Sequence, residues 1–408
     1  MSAARPARFL LSCSSPPIVL FSAMLLALPV VGLAVGPLYA ALVFGLGGLL
    51  ALYTGLKDRC PPAIDRQFAA LALVFVALCW ASTLWSVVPA TTMRAAGQIT
   101  LILAGALITL SIPPLETGPG RALIRLMPWF IGAGVALLCL DTCLGYRIQG
   151  LAGLDGNKYS RGIDYLVLIT WPVLAYTVAQ RNWRATIAVA ALIIIAVVVG
   201  LSTTGAVGLL MGVVLLGLAA LLRNATAPCL FTVVAALVAA LPFMLRLLSA
   251  SREELRPYIK PSGLHRLEIW DYTSARILDQ PIFGWGLLSA KSVPIRPEEL
   301  ATYRFVDIAG IYPHNQWLEL WLETGAVGAT LALIFLGLVL WRVWRKLPAE
   351  TQPFAYAAIG SALTISWLNF EITTDSWWAA LTASALLFKL VNALHPHQPD
   401  AACESSAS

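Results

Sequence analysis

The sequence predicts an all-α polytopic membrane protein of about twelve transmembrane helices, with a large, partly helical loop between helices 9 and 10 on the outer side. Composition is the first reason, since 59% of the 408 residues are hydrophobic and only 12% are charged. A soluble domain is closer to half apolar and a quarter charged. A chain with a mean hydropathy of +0.79 cannot cover itself with polar groups, so its solvent is largely lipid.

The second reason is the spacing of the apolar runs, each close to the ~20 residues that a helix needs to cross the hydrocarbon core. The runs cover residues 17–36, 38–56, 67–86, 95–112, 122–143, 163–180, 184–201, 204–222, 229–249, 316–341, 353–370 and 376–394. The first run is expected to be an uncleaved span and not a signal peptide, because it is long and a second apolar run follows at once.

The third reason is charge. With the N-terminus in the cytoplasm, basic residues fall mainly in the inner connections, as the positive-inside rule requires. These residues are Arg5 and Arg8; Lys57, Arg59 and Arg66; Arg121 and Arg125; Arg181 and Arg184; Arg223; and Arg342, Arg345 and Lys346. The predicted regions are therefore helices 1–9 over residues 1–248, the outer loop over 249–313, helices 10–12 over 314–395 and a cytoplasmic tail over 396–408.

Composition and charge also exclude classes of function. The net charge of +6 comes from short basic clusters between apolar runs, and no basic helix or aromatic and basic strand pattern indicates nucleic-acid binding. The seven cysteines form no C-x-x-C pair and none lies in the outer loop, so neither a zinc site nor a disulfide framework is indicated.

Two outer segments carry cations where topology disfavours them. Residues 145–164 hold Arg147, Lys158 and Arg161, and the outer loop holds Arg266 and Arg276 among others. The long loop is a weak exception to the positive-inside rule, but the short segment is a stronger one. These cations suggest an anionic ligand on the outer face. The alternative is solvated surface in contact with lipid headgroups, or, for Arg266, an ion pair with Asp271 or Glu268.

The sharpest local signal lies where the outer loop returns to the membrane. Pro313 and Asn315 are residues that favour a helix start, since asparagine caps helices and the residue before a proline avoids helix. His314 therefore faces the outer aqueous edge. A neutral imidazole there can accept a proton from a sugar hydroxyl near neutral pH. The alternative is an interfacial histidine that only caps or hydrogen-bonds.

The segment around this histidine resembles a known family. His314-Asn315-x-x-Leu318, followed after six residues by Gly325, is similar to the signature H-[NSQ]-x-x-L-x6-G of the bacterial O-antigen ligase family. The match is short, but its position directly after the large loop is also that of the family.

Upstream residues extend this resemblance. Arg266-x-x-x-Trp270, Ala275 and the run Pro281-x-x-Gly284-x-Gly286 are similar to the stretch that precedes the signature in the O-antigen ligase/polymerase superfamily. The motif similarity covers residues 264–325. The count of about twelve spans, with a large periplasmic loop between the ninth and tenth, resembles the family over the whole chain.

What the resemblance implies is an inverting, metal-independent and cofactor-independent glycosyltransferase of lipopolysaccharide assembly. Such proteins move a glycan from undecaprenyl pyrophosphate to a hydroxyl of the lipid A–core oligosaccharide. The implied location is the bacterial inner membrane, with the active site on the periplasmic face. The implied partners are the lipid-linked donor, the lipid A–core acceptor and membrane lipids.

The residues suit this chemistry. Arginines hold phosphates bidentately and stabilise the charge that grows on a leaving group. His314 and Arg266 are the catalytic candidates, with Arg147, Arg161, Lys158 and Arg276 as candidates for binding the donor pyrophosphate. Asn315, Tyr312 and Trp285 are weaker candidates for substrate binding.

Other functions remain open from sequence. An O-antigen polymerase or a protein O-oligosaccharyltransferase of the same superfamily would share donor, topology and loop, and differ in the acceptor. Glycosidase-like chemistry would want two facing carboxylates, and Glu319 and Glu323 are instead neighbours on one helical face. A transporter would place ionisable groups near the membrane centre, where this sequence has few. A structural assembly factor would tolerate loss of His314 and Arg266.

Overall fold

The molecule is a bundle of helices in a computed structural model that describes residues 16–34, 36, 38–58, 63–113, 117–151, 159–251, 254, 257–258, 261–299 and 312–394. All regular secondary structure in these ranges is helical. The helices are α1 Pro16–Ala34, α2 Leu38–Ala40, α3 Gly47–Asp58, α4 Arg66–Ala81, α5 Pro89–Ser111, α6 Thr117–Cys143, α7 Arg147–Leu151, α8 Tyr159–Ala179, α9 Trp183–Val199, α10 Thr203–Leu222, α11 Thr226–Ala250, α12 Pro261–Asp279, α13 Gln316–Lys346, α14 Gln352–Leu368 and α15 Asp375–Leu394. A π-helical stretch, Ala41–Leu46, joins α2 to α3.

The prediction of a polytopic helical membrane protein is confirmed. Within the described ranges, eight helical stretches are long and apolar enough to cross a membrane, and one of them, Thr203–Ala250, contains both α10 and α11. Helices α1 and α9 are apolar but shorter, and α14 has only 17 residues. A helix overlaps each of the twelve predicted runs, but the count of twelve spans and the four regions stay predictions.

Polar residues start several of these helices where the apolar runs begin. Asp65, Asn182, Ser202 and Asn315 each accept a hydrogen bond from a backbone N–H of the first turn of α4, α9, α10 and α13. Such caps satisfy donors that the first helical turn otherwise leaves free. In lipid, an unsatisfied backbone group costs several kcal/mol, so the caps help to fix where each helix begins.

Helix α8 lies at the centre of the described bundle. Seventeen of its residues are buried, and it packs against α1, α6, α9, α10, α14 and α15. Its N-terminal end, beginning at Tyr159, meets the connections of several neighbouring helices, and the candidate site forms there.

Part of the loop predicted between helices 9 and 10 is helical, as expected, since α12 covers Pro261–Asp279. Leu267 and Ile277 are buried, but so are Glu268 and Arg276, and Leu278 is 38% exposed, so both apolar and charged residues of α12 pack. The helix contacts mainly α11 and α13.

Helix α13 is broken near its start, which the sequence did not predict. Gly325 has φ 62° and ψ −161°, so the helix consists of a short first part, residues 316–324, and a longer second part. Only glycine adopts this conformation without steric cost. The second part, residues 326–346, is about 30 Å long and can cross the hydrocarbon core alone.

Candidate active site

The break in α13 is filled by the loop that follows α12. Backbone N–H groups of Trp285 and Gly286 donate to the carbonyls of Leu322 and Glu323, both at 2.9 Å. In return, the carbonyls of Pro281 and Ile282 accept from Ala326 and Val327 at 2.9 and 3.2 Å. The loop thus forms hydrogen bonds with the backbone N–H and carbonyl groups that the break leaves without partners in the helix. The glycine of the signature and the upstream Pro281–Gly286 run are in this way one structural unit.

Helix α12 is attached to the residues that precede α13. The indole N–H of Trp270 donates to the carbonyl of Pro313 at 2.6 Å. Arg266 lies one turn before Trp270 on the same face, and its Nη1 donates to the carbonyl of Leu368 at 3.0 Å. Asp271, an expected ion-pair partner of Arg266, instead lies 3.8 Å from Nε of Arg246.

His314 is held in an unusual conformation at this junction. Its φ of 48° lies in the left-handed region, which non-glycine residues rarely adopt. The next residue, Asn315, is buried, and its side chain accepts from the N–H groups of Trp317 and Leu318 at 3.1 and 3.0 Å. The ring of Tyr312 meets the imidazole edge to face, with ring centroids 4.2 Å apart. Such strain concentrates at functional sites.

The surroundings keep the imidazole of His314 neutral. Burial lowers its pKa to about 4, and the positive charges of Arg266, His265 and Arg161 act in the same direction. Desolvation and nearby cations both disfavour a protonated histidine. The same junction raises the pKa of Tyr312, mainly through burial and then through the charges of Glu319 and Glu371.

Arg161 approaches this junction from the outer end of α8. Its guanidinium carbon lies 6.0 Å from the centre of the Phe370 ring, and the side chain is exposed. Burial also lowers the pKa of Arg266, yet a guanidinium with an ordinary pKa above 12 remains charged. The charges of two arginines thus act on a neutral imidazole, an arrangement that can bind an anion and accept a proton.

The other predicted site residues lie differently. Arg147 is exposed at the start of α7 and is not among the charges that act on His314. Lys158 lies outside the described residues. Arg276 is buried, ion-paired with Glu299 and with Asp279 at 3.3 Å, so its charge is matched within the loop. Trp285 donates to the carbonyl of Arg276 at 2.9 Å, which is a structural contact.

Sequence reasoning missed the connection between α14 and α15, which carries several contacts of the site. The carbonyl of Leu368, the ring of Phe370 and the N–H of Ile372, which donates to Oε2 of Glu319 at 3.0 Å, all belong to it. No charge, periodicity or motif marks these positions, since a carbonyl and an N–H are common to nearly every residue. Glu371 is the only charged residue of the segment 368–372.

The buried carboxylates of Asp164 and Asp141 accept hydrogen bonds from neutral donors. Asp164 accepts from Thr204 at 3.0 and 3.1 Å and from Ser202 at 3.4 Å. Asp141 accepts from the Tyr159 hydroxyl and from two backbone N–H groups. Within the described ranges, no group of three or more His, Cys, Asp or Glu residues could hold a metal ion.

An apolar cavity of about 250 Å³ opens between α4, α5, α13, α14 and α15. Its lining includes Gln316 and Trp317, which follow directly on the His314–Asn315 pair, and Ile372 of the α14–α15 connection. The cavity therefore lies beside the first turn of α13, with walls that suit a hydrocarbon chain.

Comparisons with known proteins agree on one family. The sequence model of the O-antigen ligase family matches residues 188–333, a range that includes α12, His314 and Gly325. Proteins provisionally named polysaccharide ligases are similar in Rickettsia typhi and Rickettsia conorii, each 28% identical over 121 residues. A protein of Rickettsia bellii with the same name is 25% identical over 133 residues. These matches cover 29%, 29% and 32% of this chain and 30%, 29% and 33% of the relatives.

Proposed function

Because this chain is a member of the O-antigen ligase family, and thus a multi-pass membrane protein of a glycan-transferring superfamily, we propose that it completes lipopolysaccharide. It transfers O-antigen polysaccharide from undecaprenyl pyrophosphate to a hydroxyl of the lipid A–core oligosaccharide. The reaction takes place at the periplasmic face of the inner membrane. The observation that carries the proposal is the junction before α13, where the segment after α14 contacts both Arg266 and Arg161 and the charges of both arginines act on a neutral His314.

Each group has one role in the transfer. Arg161 and Arg266 bind the pyrophosphate of the donor, where bidentate guanidinium contacts are strong. The acceptor hydroxyl attacks the anomeric carbon, and its proton passes to the imidazole of His314. The bond from the anomeric carbon to the pyrophosphate oxygen breaks, and its electron pair leaves on undecaprenyl pyrophosphate. A single displacement of this kind inverts the anomeric centre.

The charge balance of the site favours this order of events. In the free protein the two guanidinium groups lower the pKa of His314. A bound pyrophosphate offsets their charge, so the imidazole becomes a stronger base when the donor is present. The same cations then stabilise the charge that grows on the leaving group, which lowers the barrier. No metal or other cofactor is required by these steps.

The apolar cavity supports a lipid-linked donor. Gln316 and Trp317, which follow Asn315, are part of its lining, and the remaining lining is almost entirely apolar. An isoprenoid chain placed there leaves the pyrophosphate at the outer end of the helices, near Arg161 and Arg266. The matches to relatives cover about a third of their length or less, so donor, acceptor and reaction are proposals for this chain.

The test is the lipopolysaccharide of a deletion strain, analysed together with its undecaprenyl-linked glycans. Core without O-antigen, with long polymer remaining on the lipid carrier, is the expected result. Core that bears a single repeat unit would instead indicate a polymerase. An unchanged profile would contradict the proposal and direct attention to protein glycosylation or transport.

Complementation then tests the base. His314→Ala is expected to lower transfer by about a hundredfold or more while the protein still accumulates in the membrane, because a general base contributes about 10² to 10⁴ in rate. His397→Ala, at a histidine of the predicted C-terminal tail, is the matched control and should restore O-antigen. Wild-type transfer by His314→Ala protein would exclude the imidazole as the base.

A further inference from the structure

The connection between α14 and α15, residues 368–372, contacts both arginines of the site. Arg266 donates to the carbonyl of Leu368 at 3.0 Å. Arg161 lies over the ring of Phe370, at 6.0 Å from its centre. The same short segment thus contacts two arginines that belong to different helices, α12 and α8. Their spacing changes if this segment moves.

The 368–372 segment is itself fixed from two sides. Nδ2 of Asn369 approaches Oδ2 of the buried Asp164 at 3.5 Å, which ties the segment to α8. The N–H of Ile372 donates to Glu319 at 3.0 Å, which ties it to the first part of α13. Glu319 lies five residues after His314. The segment therefore connects the histidine's helix with both arginines.

Phe370 is the residue about which the segment turns. It is 1% exposed and has φ 63°, a left-handed conformation that is costly for a residue with a Cβ atom. Its ring stacks on Trp377, with centroids 4.5 Å apart and planes at 10°, and on Tyr165, at 5.8 Å and 25°. Such a backbone persists only where the surroundings enforce it, as these stacked rings do.

From these contacts we propose that Phe370 is a positioning residue for the transfer reaction. Its ring orients the guanidinium of Arg161, while the turn that it enforces presents the Leu368 carbonyl to Arg266. Both guanidinium groups then face one pyrophosphate at the same time. The inference rests on the proposed function, because it assigns Phe370 to the arginines that are proposed to bind the donor.

A role in packing alone would not require contact with Arg161. That arginine is exposed, so few other contacts restrict where its guanidinium lies. An arginine side chain has much rotamer freedom to lose on ordering, and a stacked ring reduces this loss when the ligand binds. Removal of the ring should therefore weaken the use of the donor and leave the use of the acceptor unaffected.

The experiment is a double-mutant cycle on the purified full chain, with an undecaprenyl-pyrophosphate-linked glycan as donor and lipid A–core as acceptor. Phe370→Leu is expected to raise the KM for the donor roughly threefold to tenfold, the range of a cation–π contact, with the acceptor KM unchanged. Phe370→Tyr keeps the ring and should recover most of the loss. In an Arg161→Ala background, Phe370→Leu should raise the donor KM by a clearly smaller factor, because only the effect through Leu368 and Arg266 remains.

Two further variants keep the test decisive. Phe370→Gly also removes the ring but adopts a left-handed φ freely, so it replaces the leucine variant if that protein does not accumulate. Tyr356→Leu removes a buried aromatic ring at the opposite end of α14, roughly 18 Å away along the helix, and should leave the donor KM unchanged.

The outcomes separate the two proposals. If wild-type protein transfers no glycan, the proposed function fails. If wild-type protein is active, the positioning role is contradicted when Phe370→Leu leaves the donor KM unchanged. It is equally contradicted when the variant raises the KM by the same factor with and without Arg161.

Discussion

At the scale of single residues, the protonation state of His314 depends on what surrounds it. An ordinary histidine has a pKa of ~6.5 and is partly charged near neutral pH. Burial and the neighbouring Arg266, His265 and Arg161 lower the pKa of His314 to about 4. The imidazole therefore remains a neutral acceptor of protons over the whole physiological range.

This shift predicts the pH dependence of kcat/KM for the donor, which reports on the free enzyme. The base is lost as pH falls through its pKa, so kcat/KM should be nearly flat from about pH 8 to about pH 6 and fall towards about pH 4. A fall centred near ~6.5, the value of a solvated histidine, would contradict the assignment.

Arg266→Gln provides the internal control for this profile. The substitution removes the largest positive charge effect on His314. The acid limb of kcat/KM should therefore move to higher pH, at the same time as the KM for the donor rises. An unmoved acid limb would mean that the charge of Arg266 does not reach the imidazole.

At the scale of elements, the break in α13 is what brings the loop after α12 into the site. Gly325 has φ 62°, and a Cβ atom there would collide with the carbonyl of Ile282. Four backbone hydrogen bonds between the 281–286 loop and residues 322–327 depend on this geometry. A continuous helix would displace the loop, and with it the C-terminal end of α12, the helix that carries Arg266.

Gly325→Ala is therefore expected to destabilise the folded protein by about 1–3 kcal/mol, the cost of a strained backbone, and to lower transfer activity. Thermal unfolding in detergent measures the first effect. Gly217→Ala in α10 is the control, because an added Cβ there meets no heavy atom within 4 Å. It should change stability by about 1 kcal/mol or less. Equal behaviour of the two variants would contradict the structural role of the break.

At the scale of the whole molecule, the site is assembled from elements far apart in the chain. Arg161 comes from α8, Arg266 from α12, His314 from the start of α13 and Phe370 from the connection before α15. The buried α8 contacts six other helices and so sets where its outer end meets these connections. Chemistry at this end requires that all of these connections lie on one side of the membrane.

That requirement predicts which introduced cysteines react with a membrane-impermeant thiol reagent in intact spheroplasts. In a cysteine-free background, Tyr258→Cys, in the outer loop and 87% exposed, should react in intact spheroplasts. Glu350→Cys, in the exposed turn between α13 and α14, should react only after the membrane is opened. Reaction of both positions from the same side would contradict the predicted topology.

The sequence by itself determined the class of the molecule and several of its parts. In lipid, backbone N–H and carbonyl groups must form hydrogen bonds within their own segment, so apolar runs of sufficient length become helices. The positions of these helices can therefore be predicted from the sequence. A partly helical loop was expected before α13, and Asn315 was expected to cap α13. His314 and Arg266 were identifiable as candidates because a motif preserves the order of residues along the chain.

Only the tertiary structure decided how these parts meet. The break at Gly325, the left-handed turn at Phe370 and the contact of Leu368 with Arg266 depend on groups distant in sequence. The structure also distinguishes arginines that carry the same charge. Arg276 is ion-paired with Glu299 and Asp279, whereas the charges of Arg161 and Arg266 lower the pKa of His314. A side chain's charge is a property of the residue, but the field that it exerts depends on distance and burial, and folding alone sets these.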